Sequence, residues 1–224
     1  MYIHCAFKLY VARLCLACPF TPPSNGTASG AWNYTRELIE SQHVPFDTGF
    51  GHALIAYLGK ATVADIGAGV GQLGAFLMQH NSSVQWRGFD GGHNVEHLHG
   101  LNVSLRNHSG YIVPKVCWID ASQPFRLRQR PDWVISIEVG EHIPKSREAT
   151  FLDNLVKNCR VGVILTWAIR AQLGYQHVNC HDNEYIINRM FERGMTYDER
   201  LSVLFRSTVN KLPWLANTIM VFKK

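Results

Sequence analysis

The sequence has few charged residues and no long uncharged apolar run. Asp, Glu, Lys and Arg make up 17% of the 224 residues, whereas hydrophobic residues make up 46%. Such a composition is not that of a disordered chain, and it provides enough apolar material for a core. The apolar N-terminus at residues 1–20 is interrupted by Lys8 and Arg13, so it does not predict a stable membrane span.

The sequence also lacks the two C-x-x-C pairs that a typical zinc site requires. Cys15 and Cys18 have C-x-x-C spacing, but no second pair completes a metal or redox motif. Cys117 and Cys159 lie in predicted core segments, where a thiol usually acts as a small hydrophobe. The sequence therefore predicts no disulfide framework.

The excess of basic residues is small. The formal charge is +5, and the densest basic run, Arg126 to Arg130, has the composition of a solvated loop. No appended RNA-binding module is visible, and neither internal repeats nor low-complexity tracts occur. Nucleic acid is therefore a less favoured partner than a small molecule.

The length suits one domain with a short extension. We interpret residues 1–30 as an apolar segment with a flexible linker, and 31–224 as the domain. The cytoplasm is slightly favoured, because signal-peptide cleavage near Cys18 would leave an odd set of three cysteines. The secretory route is the alternative, since five N-glycosylation sequons are present, at Asn25, Asn33, Asn81, Asn102 and Asn107.

Strand and helix patterns alternate from Thr62 onwards. We predict strands at 62–66, 83–89, 112–119, 133–137, 161–167, 198–207 and 217–222, and helices at 72–80, 146–157 and 181–193. Helical pieces at 32–58 precede them, interrupted at 47–51. The pattern predicts an α/β fold with a doubly wound, mostly parallel sheet. The last two strands have no predicted helix between them, so we expect an antiparallel C-terminal hairpin.

A glycine-rich turn follows the first predicted strand and opens a helix. It begins at Asp65 and contains Gly67, Gly69 and Gly71. Glycines let the backbone approach a ligand closely, and amides at a helix start favour negative charge. Near the end of the next strand, the Asp90 carboxylate can accept both hydroxyls of a ribose. Together these features predict a nucleotide site, whereas the alternative is an ordinary strand–turn–helix junction.

Two cofactors compete for this site. Gly69, Gly71 and Gly74 satisfy the dinucleotide fingerprint G-x-G-x-x-G, which is weak evidence alone. That register leaves Asp65 within the first strand without a role. The register that starts at Asp65 places a carboxylate beside the turn. There it suits the cationic methionine part of S-adenosylmethionine (SAM) better than a pyrophosphate.

In this register the chain resembles the class I methyltransferases, whose first motif is acidic-x-Gly-x-Gly-x-Gly. The resemblance covers about residues 62–224 and implies SAM as cofactor and a seven-stranded sheet with an antiparallel last strand. Asp90 would bind the ribose, and Asp120 with Ala121 the adenine. The implied cofactor-binding residues are Asp65, Gly67, Gly69, Gly71, Asp90, Asp120, Ala121 and Glu138.

The resemblance implies a SAM-dependent methyltransferase. We find neither the Asn/Asp-Pro-Pro-Phe/Tyr motif of amino-group methylases nor the Pro-Cys nucleophile of cytosine-carbon methylases. An oxygen or nitrogen of a small molecule is the favoured acceptor, because the basic surplus is small and no RNA-binding module is visible. The alternatives are a non-catalytic binding module, a nucleic-acid 2′-O-methyltransferase with a metal, and an NAD-dependent oxidoreductase. The oligomeric state is not indicated.

Glu138, Glu141 and His142 form an E-x-x-E-H run at the predicted end of the fourth strand. This run resembles that of ubiquinone-pathway and small-RNA O-methyltransferases, in which a metal orients the acceptor hydroxyl. With His181, which follows the fifth strand, these residues form a hypothetical Mg²⁺, Mn²⁺ or Zn²⁺ site. His177 is left open in place of His181, and the alternative is a Glu–His pair that only closes the cofactor pocket.

Two histidines are candidate catalytic residues. His142 or His177 would act as general base for an oxygen or nitrogen acceptor, and the alternative for each is a structural histidine. We expect the acceptor to be bordered by the loop at 167–184. The segment at 32–50 is a candidate lid, with Trp32, Tyr34, His43 and Phe46 facing the ligand, or an amphipathic helix packed on the sheet.

Overall fold

A computed structural model of the chain describes residues 18–21, 30–35, 38–39, 46–80, 82–105 and 108–224. Most of the apolar N-terminus, most of the linker, and His43 lie outside these residues. The same holds for the sequons at Asn25, Asn81 and Asn107. The domain boundary at residue 30 and the compartment therefore stay predictions.

A seven-stranded sheet has the strand order β5-β2-β1-β6-β7-β9-β8. Its strands are β1 (Thr62–Ile66), β2 (Gln85–Asp90), β5 (Val116–Trp118), β6 (Trp133–Ser136), β7 (Gly162–Leu165), β8 (Thr196–Tyr197) and β9 (Met220–Lys223). The first five of these run parallel, and β9 is antiparallel to both β7 and β8. A separate antiparallel pair is formed by β3 (Asn102–Leu105) and β4 (His108–Ile112).

Six helices connect these strands in the described part of the chain: α1 (Thr48–Leu58), α2 (Gln72–Gln79), α3 (Glu148–Asn158), α4 (Asn183–Phe191), α5 (Glu199–Thr208) and α6 (Leu215–Thr218). Short 3₁₀ turns occupy Val95–Leu98, Gly140–His142 and Lys145–Arg147. No helix among the described residues is long and apolar enough to cross a membrane.

Helices cover both faces of the sheet, because side chains on each strand alternate between two apolar clusters. Val163 and Leu165 of β7 face the cluster that contains the apolar side of α3 and α4. Ile164 between them belongs to the other cluster, which α1, α2 and α5 complete. The predicted doubly wound, mostly parallel sheet is confirmed, as is the antiparallel pairing of the last two strands.

Three predicted elements are wrong. The segment at 198–207 is the helix α5, so β8 and β9 do have a helix between them. Its apolar residues Leu201, Val203 and Phe205 recur at every second position, which is the pattern of a strand. In the helix, Leu201 and Phe205 lie one turn apart and are buried, whereas Val203 is 54% exposed. The predicted strand at 112–119 is divided between β4 and β5. The predicted interruption at 47–51 is instead the start of α1.

One disulfide bond corrects the prediction of none. Cys18 is bonded to Cys117 of β5, and their Cα atoms lie 5.3 Å apart. The ring of Phe20 meets Phe125 edge-on with centroids 6.3 Å apart, so residues 18–21 contact both β5 and the segment that follows it. Spacing rules did not reveal the pair because 99 residues separate the two cysteines. Cys159 and Cys180 are free.

Asp47 joins the start of α1 to the segment before α6. Its fully buried carboxylate accepts a bond from the Phe50 amide at 2.9 Å, as an N-cap. It also accepts from the amides of Asn210, Lys211 and Leu212, the shortest at 2.7 Å. Burial raises the pKa of Asp47, but the four amides together lower it by more than burial raises it. The net pKa is therefore below the ordinary value.

We predict that Asp47→Ala lowers the free energy of unfolding by about 3 kcal/mol, because it removes an N-cap and leaves buried amides unpaired. Urea titration measures this difference. It should shrink on acidification, since the ionised carboxylate stabilises the fold only above its lowered folded-state pKa. The matched control is Asp198→Ala, which removes the α5 N-cap and one exposed ion pair. Equal losses in the two variants would contradict this account.

Candidate functional site

A cavity of about 500 Å³ opens at the carboxyl edge of the sheet. This edge is where ligands bind in open α/β sheets, and the volume is typical of a small-molecule site. The ends of β1, β2 and β6 form its floor. Segments that surround it include residues 30–34, 172–177 and 212–215.

The glycine turn after β1 forms one wall of the cavity. Gly67, Gly69 and Gly71 all have positive φ, which side chains rarely tolerate. A Cβ on Gly67 would also lie 2.2 Å from the Val139 side chain. Gly67 and Gly69 line the cavity, whereas Gly71 caps α2 and packs on Pro114.

Asp65 is buried at the end of β1 and lines the cavity. One carboxylate oxygen accepts a bond from the Trp86 indole N–H at 3.0 Å. Burial raises the pKa of Asp65 to about 7; the Trp86 bond lowers it in part, and the negative charge of Asp90 raises it. Near neutral pH, Asp65 is therefore poised between its neutral and ionised forms.

Asp90 lies at the end of β2, also against the cavity. Its carboxylate accepts bonds from the amides of Gly69 and Gly92, both at 2.9 Å, and from the Tyr34 hydroxyl at 3.1 Å. Burial raises the pKa of Asp90, although these three donors offset part of the rise. Tyr34 therefore brings the predicted lid segment onto the predicted ribose-binding acid.

Of the predicted adenine pair, only Ala121 lines the cavity, together with Ile119. The carboxylate of Asp120 instead binds the amide and hydroxyl of Ser122, at 2.9 and 2.7 Å. This pairing fixes the turn from which Ala121 extends.

Glu138 follows β6 with φ of +55°, which is uncommon for a side-chain-bearing residue and typical of functional sites. The Thr166 hydroxyl stabilises this conformation because it accepts from the Glu138 amide at 2.7 Å and donates to its carboxylate at 2.8 Å. The second carboxylate oxygen accepts from the Gln172 amide group at 2.8 Å. Burial raises the pKa of Glu138, and these two donors offset part of the rise.

Glu141, His142 and His177 form a group whose ligand atoms lie within 4.8 Å of one another. Glu141 is fully buried, and neither carboxylate oxygen has a hydrogen-bond partner among the described residues. Burial raises the pKa of Glu141 well above its ordinary value, and the nearby negative charge of Glu138 adds to the rise. An unpaired buried carboxyl group is rare and costly.

The two histidines of this group line the cavity with ring centroids 5.0 Å apart. Nδ1 of His142 lies 3.2 Å from the Gln176 carbonyl oxygen, and Nδ1 of His177 lies 3.1 Å from that of Gln172. A carbonyl accepts, so we assign the ring proton to Nδ1, which leaves each Nε2 with a lone pair. Burial lowers the pKa of His142, as does the adjacent His177, so its ring is neutral at pH 7.

His181, a predicted metal ligand, lies outside this group. Its Nε2 is 3.2 Å from the Glu148 carboxylate and 2.9 Å from the Asn179 side-chain oxygen. Its ring stacks on Tyr185 at 3.9 Å. Glu148 also accepts bonds from Lys145 and from Asn179, so His181 belongs to a structural network under the loop at 167–181.

The candidate lid and the acceptor loop meet over the cavity. Trp32, Tyr34 and Phe46 line it, as do Gln172 and Tyr175. Trp167 is buried and its indole donates to the Asn179 carbonyl, whereas Arg170 pairs with Asp182 and does not line the cavity. Leu212, Trp214 and Leu215 also line the cavity, although none of them was predicted from the sequence as a site residue.

No protein-family model matches the chain, and a search of curated proteins finds no match. Solved structures do match its fold. Magnesium protoporphyrin IX methyltransferase from Synechocystis PCC 6803, solved with bound SAM, is 18% identical with a TM-score of 0.52, over 84% of this chain and 87% of that one. The [4+2]-cyclase SpnF is 12% identical with a TM-score of 0.51, over 89% and 87% of the two chains.

A third structure, PKMT2 from Rickettsia typhi, is 10% identical with a TM-score of 0.52, over 81% of this chain and 53% of that one. With the sheet order described above, these likenesses show that the chain has the class I methyltransferase fold.

We predict that the indole N–H resonance of Trp86 shifts with a midpoint near pH 7, because its acceptor Asp65 ionises there. A ¹⁵N–¹H NMR titration measures it. In Asp65→Asn the shift should disappear. The Trp118 indole, which donates to the Gly91 carbonyl, serves as the internal control. A Trp86 midpoint near pH 4 in the wild type would contradict the assigned burial of Asp65.

Proposed function

We propose that the protein is a SAM-dependent methyltransferase that acts on an oxygen or nitrogen of a small molecule. The observation that carries this proposal is the convergence of Asp65, the glycine turn, Asp90 and Glu138 on one cavity. Three carboxyl groups suit the ammonium and sulfonium charges and the ribose hydroxyls of SAM. Ile119 and Ala121 provide an apolar surface suited to a base.

Two rival functions remain alternatives. A pyrophosphate of NAD would meet the buried carboxyl groups of Asp65 and Asp90, which repel it when ionised. A non-catalytic binding module would share the fold, and the likeness to a protein named as a cyclase shows that this fold alone does not decide the reaction. Loss of Asp65 or Asp90 would favour such a module, whereas both acids are present.

Methyl transfer requires in-line positioning and, for an oxygen acceptor, loss of a proton. His142 is suited to accept that proton, since its ring is neutral and Nε2 carries a free lone pair next to the cavity. His177 stands 5.0 Å away as the second candidate base. Glu138, bound by Thr166 and Gln172, would hold the methionine ammonium or the acceptor beside them.

As the alternative to a general base at His142, we propose that Glu141, His142 and His177 hold a divalent cation, which would occupy the Nε2 lone pair of His142. The unpaired buried carboxyl group of Glu141 carries this proposal, because a cation would satisfy both of its oxygens. One carboxylate with two imidazoles suits Zn²⁺ or Mn²⁺. When bound, a cation would supply a Lewis acid that lowers the pKa of an acceptor hydroxyl.

We predict micromolar binding of SAM and S-adenosylhomocysteine in isothermal titration calorimetry. Asp65→Asn and Asp90→Asn should each weaken it about tenfold or more, because each removes a charged hydrogen-bond acceptor. SAM affinity should rise as the pH passes about 7, since Asp65 must ionise to pair with the ammonium. Asp182→Asn, which alters an exposed acid, is the matched control. Absence of binding to well-folded wild type would refute the proposed cofactor.

For the cation we predict that Mn²⁺ binds and that Glu141→Gln and His177→Ala each weaken it about tenfold or more. Loss of the free-Mn²⁺ electron paramagnetic resonance signal measures binding, which should strengthen with rising pH because Glu141 must lose a proton. His181→Gln is the matched histidine control. If His181→Gln abolishes binding and His177→Ala does not, the ligand assignment is wrong.

A further inference from the structure

Four aromatic rings form a connected cluster over the histidine end of the cavity. His177 meets His142 at a centroid distance of 5.0 Å, His142 meets Trp32 at 5.7 Å, and Trp32 meets Tyr175 at 6.0 Å. All three contacts are edge-to-face, and all four residues line the cavity. Edge-to-face clusters present ring faces and edges to which a further ring adds favourably.

The rim next to this cluster is apolar and uncovered. Tyr175 is 73% exposed and Leu173 is 98% exposed, yet both line the cavity. Binding sites for small molecules are typically lined by such hydrophobic and aromatic side chains. The rim therefore offers contact area that an apolar molecule in the cavity would cover.

A second part of the cavity lining is also apolar. Phe46, Leu212, Trp214 and Leu215 lie there, and the buried Asp47 fixes their segments together through the amides before α6. The charged side chains that line the cavity are Asp65, Asp90 and Glu138; in the described ranges, no Lys or Arg does so. An anionic ligand would thus meet like charge without a cationic partner.

We propose that the methyl acceptor is an uncharged aromatic compound with a hydroxyl group on its ring, which packs against Trp32 and Tyr175. This inference rests on the proposed methyltransferase function. Nδ1 of His142 lies 3.2 Å from the Gln176 carbonyl oxygen, so Nε2 keeps a lone pair, and this ring contacts Trp32 in the cluster. A hydroxyl group on the bound ring can donate a hydrogen bond to that nitrogen.

The chemistry of the step balances within the cavity. A lone pair of the hydroxyl oxygen forms the new C–O bond to the sulfonium methyl carbon of SAM. The C–S bond breaks, and its electron pair stays on sulfur to give S-adenosylhomocysteine. In the cation-free site the hydroxyl proton passes to Nε2 of His142, while Nδ1 keeps its own proton and donates it in a hydrogen bond to the Gln176 carbonyl oxygen.

The test compares three probes on the full chain saturated with S-adenosylhomocysteine: 2-naphthol, the anion 2-naphthoate, and the saturated alcohol decahydro-2-naphthol. Calorimetry measures their affinities at pH 7. We expect 2-naphthol to bind about tenfold or more tightly than either other probe, because it alone combines a planar ring with zero charge. Binding of 2-naphthoate or of the saturated alcohol at equal or higher affinity would overturn the inference.

Affinities of variants for 2-naphthol test whether its ring packs against Trp32 and Tyr175. Tyr175→Ala should weaken 2-naphthol binding roughly threefold to tenfold, and Trp32→Ala should do the same. Phe191→Ala is the matched control, because Phe191 is 74% exposed, like Tyr175, but does not line the cavity. Unchanged affinity in Tyr175→Ala would also overturn the assignment of the ring.

The two proposals fail separately. If S-adenosylhomocysteine binds but 2-naphthol does not, the acceptor class is wrong and the methyltransferase proposal stands. If 2-naphthol binds to a protein that binds neither SAM nor S-adenosylhomocysteine, the methyltransferase proposal is wrong and the site for a neutral ring remains.

Discussion

The histidine end of the cavity depends on two backbone hydrogen bonds to one carbonyl group. The amides of Val178 and Asn179 both donate to the Glu141 carbonyl oxygen at 2.9 Å. These bonds hold the loop after β7 against the turn after β6, and so bring His177 to His142. Gly140 permits this approach, since a Cβ there would lie 2.1 Å from the Trp167 ring, whose indole in turn anchors Asn179.

The same region concentrates buried acid. Asp65, Asp90, Glu138 and Glu141 all have raised pKa values, and burial is the first cause in each case. Desolvated carboxyl groups at such density cost folding free energy, which proteins usually tolerate only where function requires it. These carboxyl groups are complementary to a positive charge. A sulfonium cofactor, an ammonium group and a metal cation all carry such a charge.

The local patterns of the sequence were sufficient for the mostly parallel sheet and for bringing Asp65, the glycine turn and Asp90 to one cavity, whereas Asp120 does not line it. The glycine turn at Asp65 and the acid at Asp90 each lie within a few residues of a strand end, so chain order alone placed them at one edge. Contacts between distant segments were not predictable in this way. In three such contacts the partners are 56 or more residues apart in the chain. They are the hydrogen bond from Tyr34 to Asp90, the bonds from the amides before α6 to Asp47, and the disulfide between Cys18 and Cys117.

Sequence prediction was also limited at short range, where it could not decide whether His177 or His181 is the candidate metal ligand. The two residues are four apart in one loop, and only the loop's path decides which one meets Glu141. Asn179 turns His181 toward Glu148, whereas the Gln172 carbonyl orients His177 toward the cavity. Likewise, the alternating apolar residues of α5 are compatible with a strand until the sheet determines which of them are buried.

The bond between Cys18 and Cys117 also has a consequence for the unfolded chain. It closes a loop of about 100 residues that contains β1 and β2 with the buried acids Asp65 and Asp90. By the chain-entropy argument such a closure removes about 4 to 5 kcal/mol of conformational freedom from the unfolded ensemble. Reduction would therefore lower the free energy of unfolding of the whole domain, β6 to β9 included, although those strands lie outside the covalent ring.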